Sequence, residues 1–148
     1  MIELAVAVAA ALCRRFEGLF LKAYLCPAGI ASIGYGATFY EDGARVSLSD
    51  PEITRERAEA LLLWHVRTVF LPAVLRLCPG VDNQNRLAAL IDFAFNLGAG
   101  RLKTSSLRVR VNERRWEAVP AEILKWDRGG GKRLRGLTLR RQAEVVLI

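Results

Sequence analysis

The chain has few of the residues that usually build metal centres or disulfide frameworks. Its 148 residues include one histidine and three cysteines, Cys13, Cys26 and Cys78. The odd number leaves at least one thiol unpaired, and the spacing matches neither a CxxC motif nor a zinc-binding pattern. The sequence therefore predicts no metal site and no organic cofactor, and it favours synthesis in a reducing compartment.

Long apolar runs are also scarce. The only one covers residues 4–12 and is too short to span a bilayer, which takes about 20 residues. Glu3 precedes it, where a secretion signal would carry basic residues. We interpret this run as part of a buried first helix. A weak export or membrane-release signal is the alternative.

Positive charge is concentrated in the last third of the chain. The net charge is +7, and residues 101–148 carry 13 Lys and Arg against 5 Asp and Glu, a net +8. The first hundred residues carry 9 against 10, a net −1. Such a surface attracts polyanions, namely nucleic acid, anionic lipid or a bacterial envelope, or it merely keeps the protein soluble. Charge alone does not separate these partners.

The order of local patterns predicts an α+β protein. A first helix should end at Phe16 or Glu17, with Gly18 as its C-cap. Turn residues and β-favouring side chains between residues 19 and 48 predict short strands. A long helix should begin after Thr54 and end or kink at Pro72. Further helices are expected from Asp82 or Asn83 to Gly98, near 106–112, near 120–127 and over 138–147, with a loop at 129–131.

These elements indicate one domain, 1–148, in which two lobes enclose a cleft suited to an extended substrate. The small lobe with the sheet is expected over about 14–55. The larger helical lobe is expected over about 1–13 and 75–148, and the helix 54–71 joins the two.

Glu17 is the strongest candidate for a catalytic group. It stands at the predicted C-terminal end of the first helix, directly before Gly18. The partial negative charge of a helix C-terminus favours a neutral carboxylic acid over a carboxylate. A protonated acid can donate its proton to a leaving oxygen. The alternative is a glutamate without a function at a fraying helix end.

The residues around Glu17 resemble the phage-type lysozymes, glycoside hydrolase family 24, which include tailed-phage endolysins. That family carries a Glu, eight residues, an Asp or Cys, five residues and a Thr, and here Glu17, Cys26 and Ser32 stand at those places. Matches continue in family order over nearly the whole chain. They are Arg15–Tyr24, Cys26–Gly29, Ser32–Gly36, Ile53–Thr54, Ala94–Gly100, Ser105–Leu107, Trp126, Gly129–Lys132 and Gly136–Glu144.

The resemblance implies a lysozyme-like α+β fold and an inverting glycosidase. In such enzymes an acid protonates the glycosidic oxygen while a second group activates a water on the opposite face of the sugar, and the two groups stand roughly 6.5–9.5 Å apart to leave room for that water. The implied roles are general acid for Glu17, base or oxocarbenium stabiliser for Cys26, and water positioning for Ser32. Direct attack by a Cys26 thiolate would instead retain the configuration. Cys26 as a small apolar filler is the third possibility.

Two positions depart from the family pattern. Ser32 replaces the threonine, so a hydroxyl remains but the methyl that restricts its rotamer is lost. Ala37 replaces a histidine that is frequent after the Gly-Tyr-Gly sequence, which removes a polar partner near the site.

Two further residues are predicted to bind substrate. Asn96, near the end of its helix, could hydrogen-bond a sugar amide. Arg141, or its neighbour Arg140, could pair with Glu17 or steer an anionic substrate. Capping or surface roles are the alternatives for each.

The resemblance implies a monomeric muramidase that hydrolyses the β-1,4 bond between N-acetylmuramic acid and N-acetylglucosamine in bacterial peptidoglycan. It also implies synthesis in the host cytoplasm and release through a holin-type pore to the periplasm or cell wall. A cationic wall-binding or membrane-disrupting protein without catalysis is the main alternative. A nucleic-acid binder is disfavoured because no recognition motif is present.

Overall fold

The computed structural model describes all 148 residues and has the predicted α+β architecture. Its helices are α1 (Ile2–Glu17), α2 (Arg55–Trp64), α3 (Leu71–Leu77), α4 (Gln84–Leu97), α5 (Ala99–Thr104), α6 (Ser106–Asn112), α7 (Val119–Leu124) and α8 (Arg135–Val145). Its strands are β1 (Phe20–Leu25), β2 (Ala31–Gly34), β3 (Arg128–Gly129) and β4 (Lys132–Arg133).

Helix α1 ends at Glu17 with Gly18 as its C-cap, as the sequence predicted. Its apolar stripe, which follows helical spacing, is buried against the rest of the core. The buried residues are Ala5, Val6, Ala9, Ala10 and Cys13. The run 4–12 therefore forms a core helix, although Met1, Ile2 and Leu4 remain exposed.

The strands β1 and β2 form an antiparallel hairpin directly after α1. The pairing shifts between Phe20, which faces Gly34, and Tyr24, which faces Ser32. Such a bulge re-aims the side chains that follow it. The small cluster of Ile33, Val46 and Leu61 packs beneath this region.

The long helix departs from its predicted length. It is continuous from Arg55 to Leu77, because a π-helical segment, His65–Phe70, precedes Pro72. There the Leu71 amide donates to the carbonyl of Val66, five residues back. Pro72 then stands in the first turn of α3, where its missing N–H is tolerated. The expected end at Pro72 was wrong, because the helix continues six residues beyond the expected end, to Leu77.

By length and composition this long helix could cross a membrane, but 44% of its most apolar stretch is buried inside the protein. Its inward face joins a main core of 24 buried residues drawn from nearly every helix. Capping holds the helix starts as predicted, since Thr54 accepts from the Arg57 amide and Asn83 from the Arg86 amide.

The C-terminal third differs from the prediction in three details. An additional short helix, α5, follows Gly98, and the glycine run 129–131 forms the turn of a two-residue hairpin, β3–β4, instead of a simple loop. The final helix begins at Arg135, three residues before the predicted start.

Candidate active site

The carboxylate of Glu17 lies where the end of α1 meets the loop after β2. Its side chain is 23% exposed, so part of it contacts solvent while most of it is packed against the protein. A Cβ placed on Gly36 would lie 3.2 Å from Glu17 Oε2. Gly36 also has a φ of +88°, a conformation that glycine adopts at no steric cost. The Gly-Tyr-Gly segment therefore lets the backbone pass directly beside the carboxylate.

Arg140 on α8 holds the other oxygen of Glu17. Its Nη1 donates to Glu17 Oε1 at 2.6 Å, while Nε and Nη2 donate to the two oxygens of Asp92 at 2.9 and 2.7 Å. Burial opposes the charge on Arg140, but the hydrogen bonds and charges of Asp92 and Glu17 outweigh it and raise the pKa of Arg140. A permanently charged guanidinium therefore connects α1, α4 and α8 at the candidate acid.

Behind Arg140 lies a second, fully buried carboxyl group. Burial and the neighbouring Asp92 carboxylate raise the pKa of Glu144 well above its ordinary value, against the opposing charge of Arg141. For Asp92, burial acts in the same upward direction, but the hydrogen bonds and charge of Arg140 lower its pKa overall. The pKa values of the two carboxyl groups are thus shifted in opposite directions, that of Asp92 downward and that of Glu144 upward.

The Cys13 thiol completes this network and is not a reactive cysteine. Its Sγ donates to Asp92 Oδ1 at 3.4 Å. Burial, and then the Asp92 charge, raise the pKa of Cys13 strongly, so the thiol stays protonated. All three cysteines are free.

Arg141 does not lie where the sequence placed it. Its side chain is fully buried, and Nη2 donates to Glu144 Oε1 at 2.6 Å. A substrate would find no exposed part of this side chain, so Arg141 is a core residue and the prediction that it binds substrate was wrong. Its neighbour Arg140, the second option of the sequence prediction, is the one that pairs with Glu17. Consecutive residues of a helix point about 100° apart around its axis. For this reason Arg140 faces Glu17 while Arg141 faces the core.

Cys26 and Ser32 lie on either side of the β1–β2 turn. The Cys26 amide donates to the Ile30 carbonyl at 3.0 Å, and the Ser32 hydroxyl donates to the same carbonyl at 3.1 Å. Hydrogen bonding from the Ile30 backbone lowers the pKa of the Cys26 thiol; partial burial opposes this, and Ala28 and the Ser32 hydroxyl add to it. The turn therefore makes thiolate formation at Cys26 easier than in a free cysteine.

Asn96 lies one residue before the last residue of α4 and is half-buried. Its Oδ1 atom is buried and has no hydrogen-bond partner within the chain. The preceding residue, Phe95, lines a cavity of about 200 Å³ between the small sheet region and the long helix. Gly36 and Ala37 line the same cavity, and Gly36 also lies against the Glu17 carboxylate, although Glu17 itself is not part of the cavity wall.

The cavity also contains the only histidine. Burial lowers the pKa of His65, although the Phe39 carbonyl opposes the shift, and Nε2 lies 3.0 Å from that carbonyl oxygen. A neutral ring that donates from Nε2 satisfies this geometry. No group of three or more His, Cys, Asp or Glu side chains is arranged to hold a metal ion.

A family model described as phage lysozyme matches residues 14–144. The chain belongs to the phage lysozyme family. An endolysin of Acyrthosiphon pisum secondary endosymbiont phage 1 is 38% identical over 141 residues, which cover 92% of this chain and 91% of the relative.

Solved structures show the same relationship. An endolysin from Escherichia coli O157:H7 phage FAHEc1 superposes with a TM-score of 0.82 at 30% identity, covering 95% of this chain and 89% of that one. The muramidase domain of SpmX from Asticaccaulis excentricus gives 0.78 at 34% identity, covering 94% and 92%. As a member of this family, the chain has the glycosidase-type function of endolysins and lysozymes, a class of enzymes that acts on peptidoglycan.

Three residues of this phage lysozyme site escaped the sequence analysis. Asp92 had a signal that could have revealed it, because a lone acid within the apolar run 87–95 must be paired when buried. Gly36 had a weaker one, since a glycine can mark a close approach of the backbone. Tyr24 falls within the matched segment Arg15–Tyr24, but its place opposite Ser32 depends on the bulge in β1.

Proposed function

We propose that this endolysin hydrolyses the β-1,4 bond between N-acetylmuramic acid and N-acetylglucosamine by an inverting mechanism, with Glu17 as general acid. One observation carries the proposal. Arg140 holds Oε1 of Glu17, while Oε2 lies beside the backbone of Gly36, a residue that lines the cavity. Oε2 is therefore the oxygen that would carry the proton to the leaving group.

Cys26 takes the role of the base in this proposal, and Ser32 positions the water. The lowered pKa of Cys26 supports the assignment, because the thiolate is the form that accepts a proton from water. In an inverting site the base stands on the face of the sugar opposite the acid, with room for one water. Nucleophilic attack by the thiolate would give the retained anomer, so NMR of the first-formed product separates the two courses.

Asn96 is proposed to hydrogen-bond a substrate amide. Its buried Oδ1 atom lacks a partner in the chain, and an unpaired buried acceptor gains free energy when a donor arrives. The residue that precedes Asn96 in the chain, Phe95, lines the cavity. Neither a metal nor an organic cofactor enters any step.

The decisive experiment compares wild type, Glu17→Gln and Cys26→Ala in clearing a permeabilised bacterial suspension. We expect Glu17→Gln to lose at least about 100-fold in rate, because the acid contributes on the order of 10²–10⁴. Cys26→Ala should also be strongly impaired if the thiol acts as base, and unimpaired if it only fills space. Full clearing by Glu17→Gln would overturn the enzymatic proposal.

A cationic protein that binds or disrupts envelopes without hydrolysis is the second candidate, because residues 101–148 carry a net +8. Clearing that Glu17→Gln spares but salt abolishes would favour it, since added salt screens exposed charges. We further propose action as a monomer and release from the host cytoplasm through a holin-type pore. Sedimentation, and lysis timing in cells with and without a holin, test these two points.

A further inference from the structure

The Tyr24 side chain stands in the candidate site but has no role in the mechanism above. In β1 it pairs directly with Ser32 of β2. Residues paired across an antiparallel ladder point to the same face of the sheet, with Cβ atoms about 5 Å apart. Cys26 follows two residues later and lies across from Ile30, so its side chain points to that face as well.

The bulge in β1 creates this arrangement. Continued without a shift, the pairing of Phe20 with Gly34 would place Tyr24 opposite Ile30. The shift between Phe20 and Tyr24 instead places Tyr24 opposite Ser32. Bulges are frequent next to active sites because they re-aim side chains. Here the re-aimed side chain is a tyrosine beside the two residues proposed to handle water.

The hydroxyl of Tyr24 differs from those of the two other tyrosines. Tyr35 donates to Glu59 at 2.9 Å, and Tyr40 donates to Asp50 at 2.7 Å. The Tyr24 hydroxyl makes no hydrogen bond within the chain, although its ring is half-buried and stacks on Phe20 with centroids 4.2 Å apart. A packed ring with an unpaired hydroxyl is suited to hold a ligand group.

Two neighbouring groups influence the ionisation of the Tyr24 phenol. Partial burial raises the pKa of Tyr24, and the charges of Glu17 and Cys26 both raise it further. All three effects favour the neutral phenol. At neutral pH the phenol remains protonated.

We propose that Tyr24 is a further catalytic residue, whose hydroxyl hydrogen-bonds the attacking water together with Cys26 and Ser32. The inference rests on the proposed hydrolytic function and deepens it. The thiolate of Cys26 accepts one proton of the water, and Ser32 Oγ, whose own hydrogen is donated to Ile30, accepts a hydrogen bond from the other. The Tyr24 hydroxyl donates to one lone pair of the water, and the second lone pair is left for the anomeric carbon. Tyr24 itself exchanges no proton.

The test is Tyr24→Phe, which keeps the ring stack on Phe20 and removes only the hydroxyl. Steady-state kinetics on soluble peptidoglycan oligosaccharides should show kcat lower by roughly tenfold, the value of one hydrogen bond, with KM and Tm unchanged. Tyr40→Phe is the matched control, because it also loses one hydroxyl hydrogen bond but outside the site; its kcat should equal that of wild type.

The outcomes distinguish the role of Tyr24 from the hydrolytic function itself. Wild-type kcat in Tyr24→Phe, with Glu17→Gln inactive, would overturn the role of Tyr24 and leave the hydrolytic function standing. A raised KM with unchanged kcat would also overturn it, since the hydroxyl would then bind sugar in the ground state. Full activity of Glu17→Gln would instead refute the proposed function itself.

Discussion

At the scale of single residues, the candidate acid is positioned by what adjoins each of its oxygens. Arg140 binds Oε1 of Glu17, and the backbone at Gly36 lies against Oε2. A side chain at position 36 would push directly on the oxygen proposed to deliver the proton. The glycine thus serves the site as well as the turn.

We predict that Gly36→Ala loses at least about tenfold in activity, because displacement of a catalytic group by about 1 Å can cost as much as 100-fold. Gly43→Ala is the matched control: its φ is +86°, close to the +88° of Gly36, but nothing lies within 4 Å of the added Cβ. Both variants should lose stability of the order of 1–3 kcal/mol from backbone strain. Thermal melting and clearing assays should show similar losses of Tm but a loss of activity only in Gly36→Ala. Equal activity in both variants would contradict the close contact.

At the scale of elements, the β3–β4 hairpin presents exposed positive charge immediately before α8. Arg128, Lys132 and Arg135 are exposed, whereas Arg133 is paired with Asp127 at 3.0 Å. Arg135 is the first residue of α8, and Arg140, the partner of Glu17, follows five residues later in the same helix. Arg135 therefore stands about 8 Å from Arg140 along the helix axis. Carboxylates of the peptidoglycan stem peptides are the anions that this charge would meet.

We predict that Lys132→Gln combined with Arg135→Gln weakens retention on insoluble cell walls several-fold at low salt. At low salt the attraction between these exposed cations and the anionic wall is only weakly screened. Arg101→Gln combined with Lys103→Gln removes the same charge from α5 and should weaken retention less. The difference should vanish near 1 M salt, where the screening length is about 3 Å. Co-sedimentation with purified walls measures it, and equal losses for both pairs would show that only net charge matters.

At the scale of the whole molecule, a buried ionic network ties three helices to the site. Glu17 lies on α1, Asp92 on α4, and Arg140 and Glu144 on α8. Burial and the Asp92 carboxylate raise the pKa of Glu144, so this carboxyl group binds its proton more tightly in the folded state than in the unfolded chain. The folded state therefore binds a proton that the unfolded chain would release near pH 4.5.

This network predicts a pH dependence of stability. The raised pKa of Glu144 gives a contribution that is fully present below about pH 4.5 and is lost as the pH rises through the folded-state pKa. Glu144→Gln mimics the protonated acid and cannot ionise. From pH 4.5 upward, the Tm of wild type should fall relative to that of Glu144→Gln, by roughly 2–4 °C for each kcal/mol lost. Parallel melting curves from pH 4 to 9 would show that Glu144 is not protonated.

The sequence by itself determined the order of elements, the family and the identity of the candidate acid. Capping residues, apolar periodicity and the spacing from Glu17 to Cys26 and Ser32 are local patterns, which a chain carries whatever its tertiary structure. The same patterns were wrong at two positions. The helix continues past Pro72, because a π-helical segment precedes the proline. Arg141 is a buried core residue and not a residue that faces the substrate.

Only the tertiary structure decided which groups touch Glu17. Arg140 lies 123 residues away from it, and Asp92 comes from a third helix, so their contacts depend on how α1, α4 and α8 pack. Tyr24 meets Ser32 through a strand irregularity that no residue type announces. Distances across a packed core arise from the mutual fit of many side chains, and for that reason a linear motif can name the acid but not its surroundings.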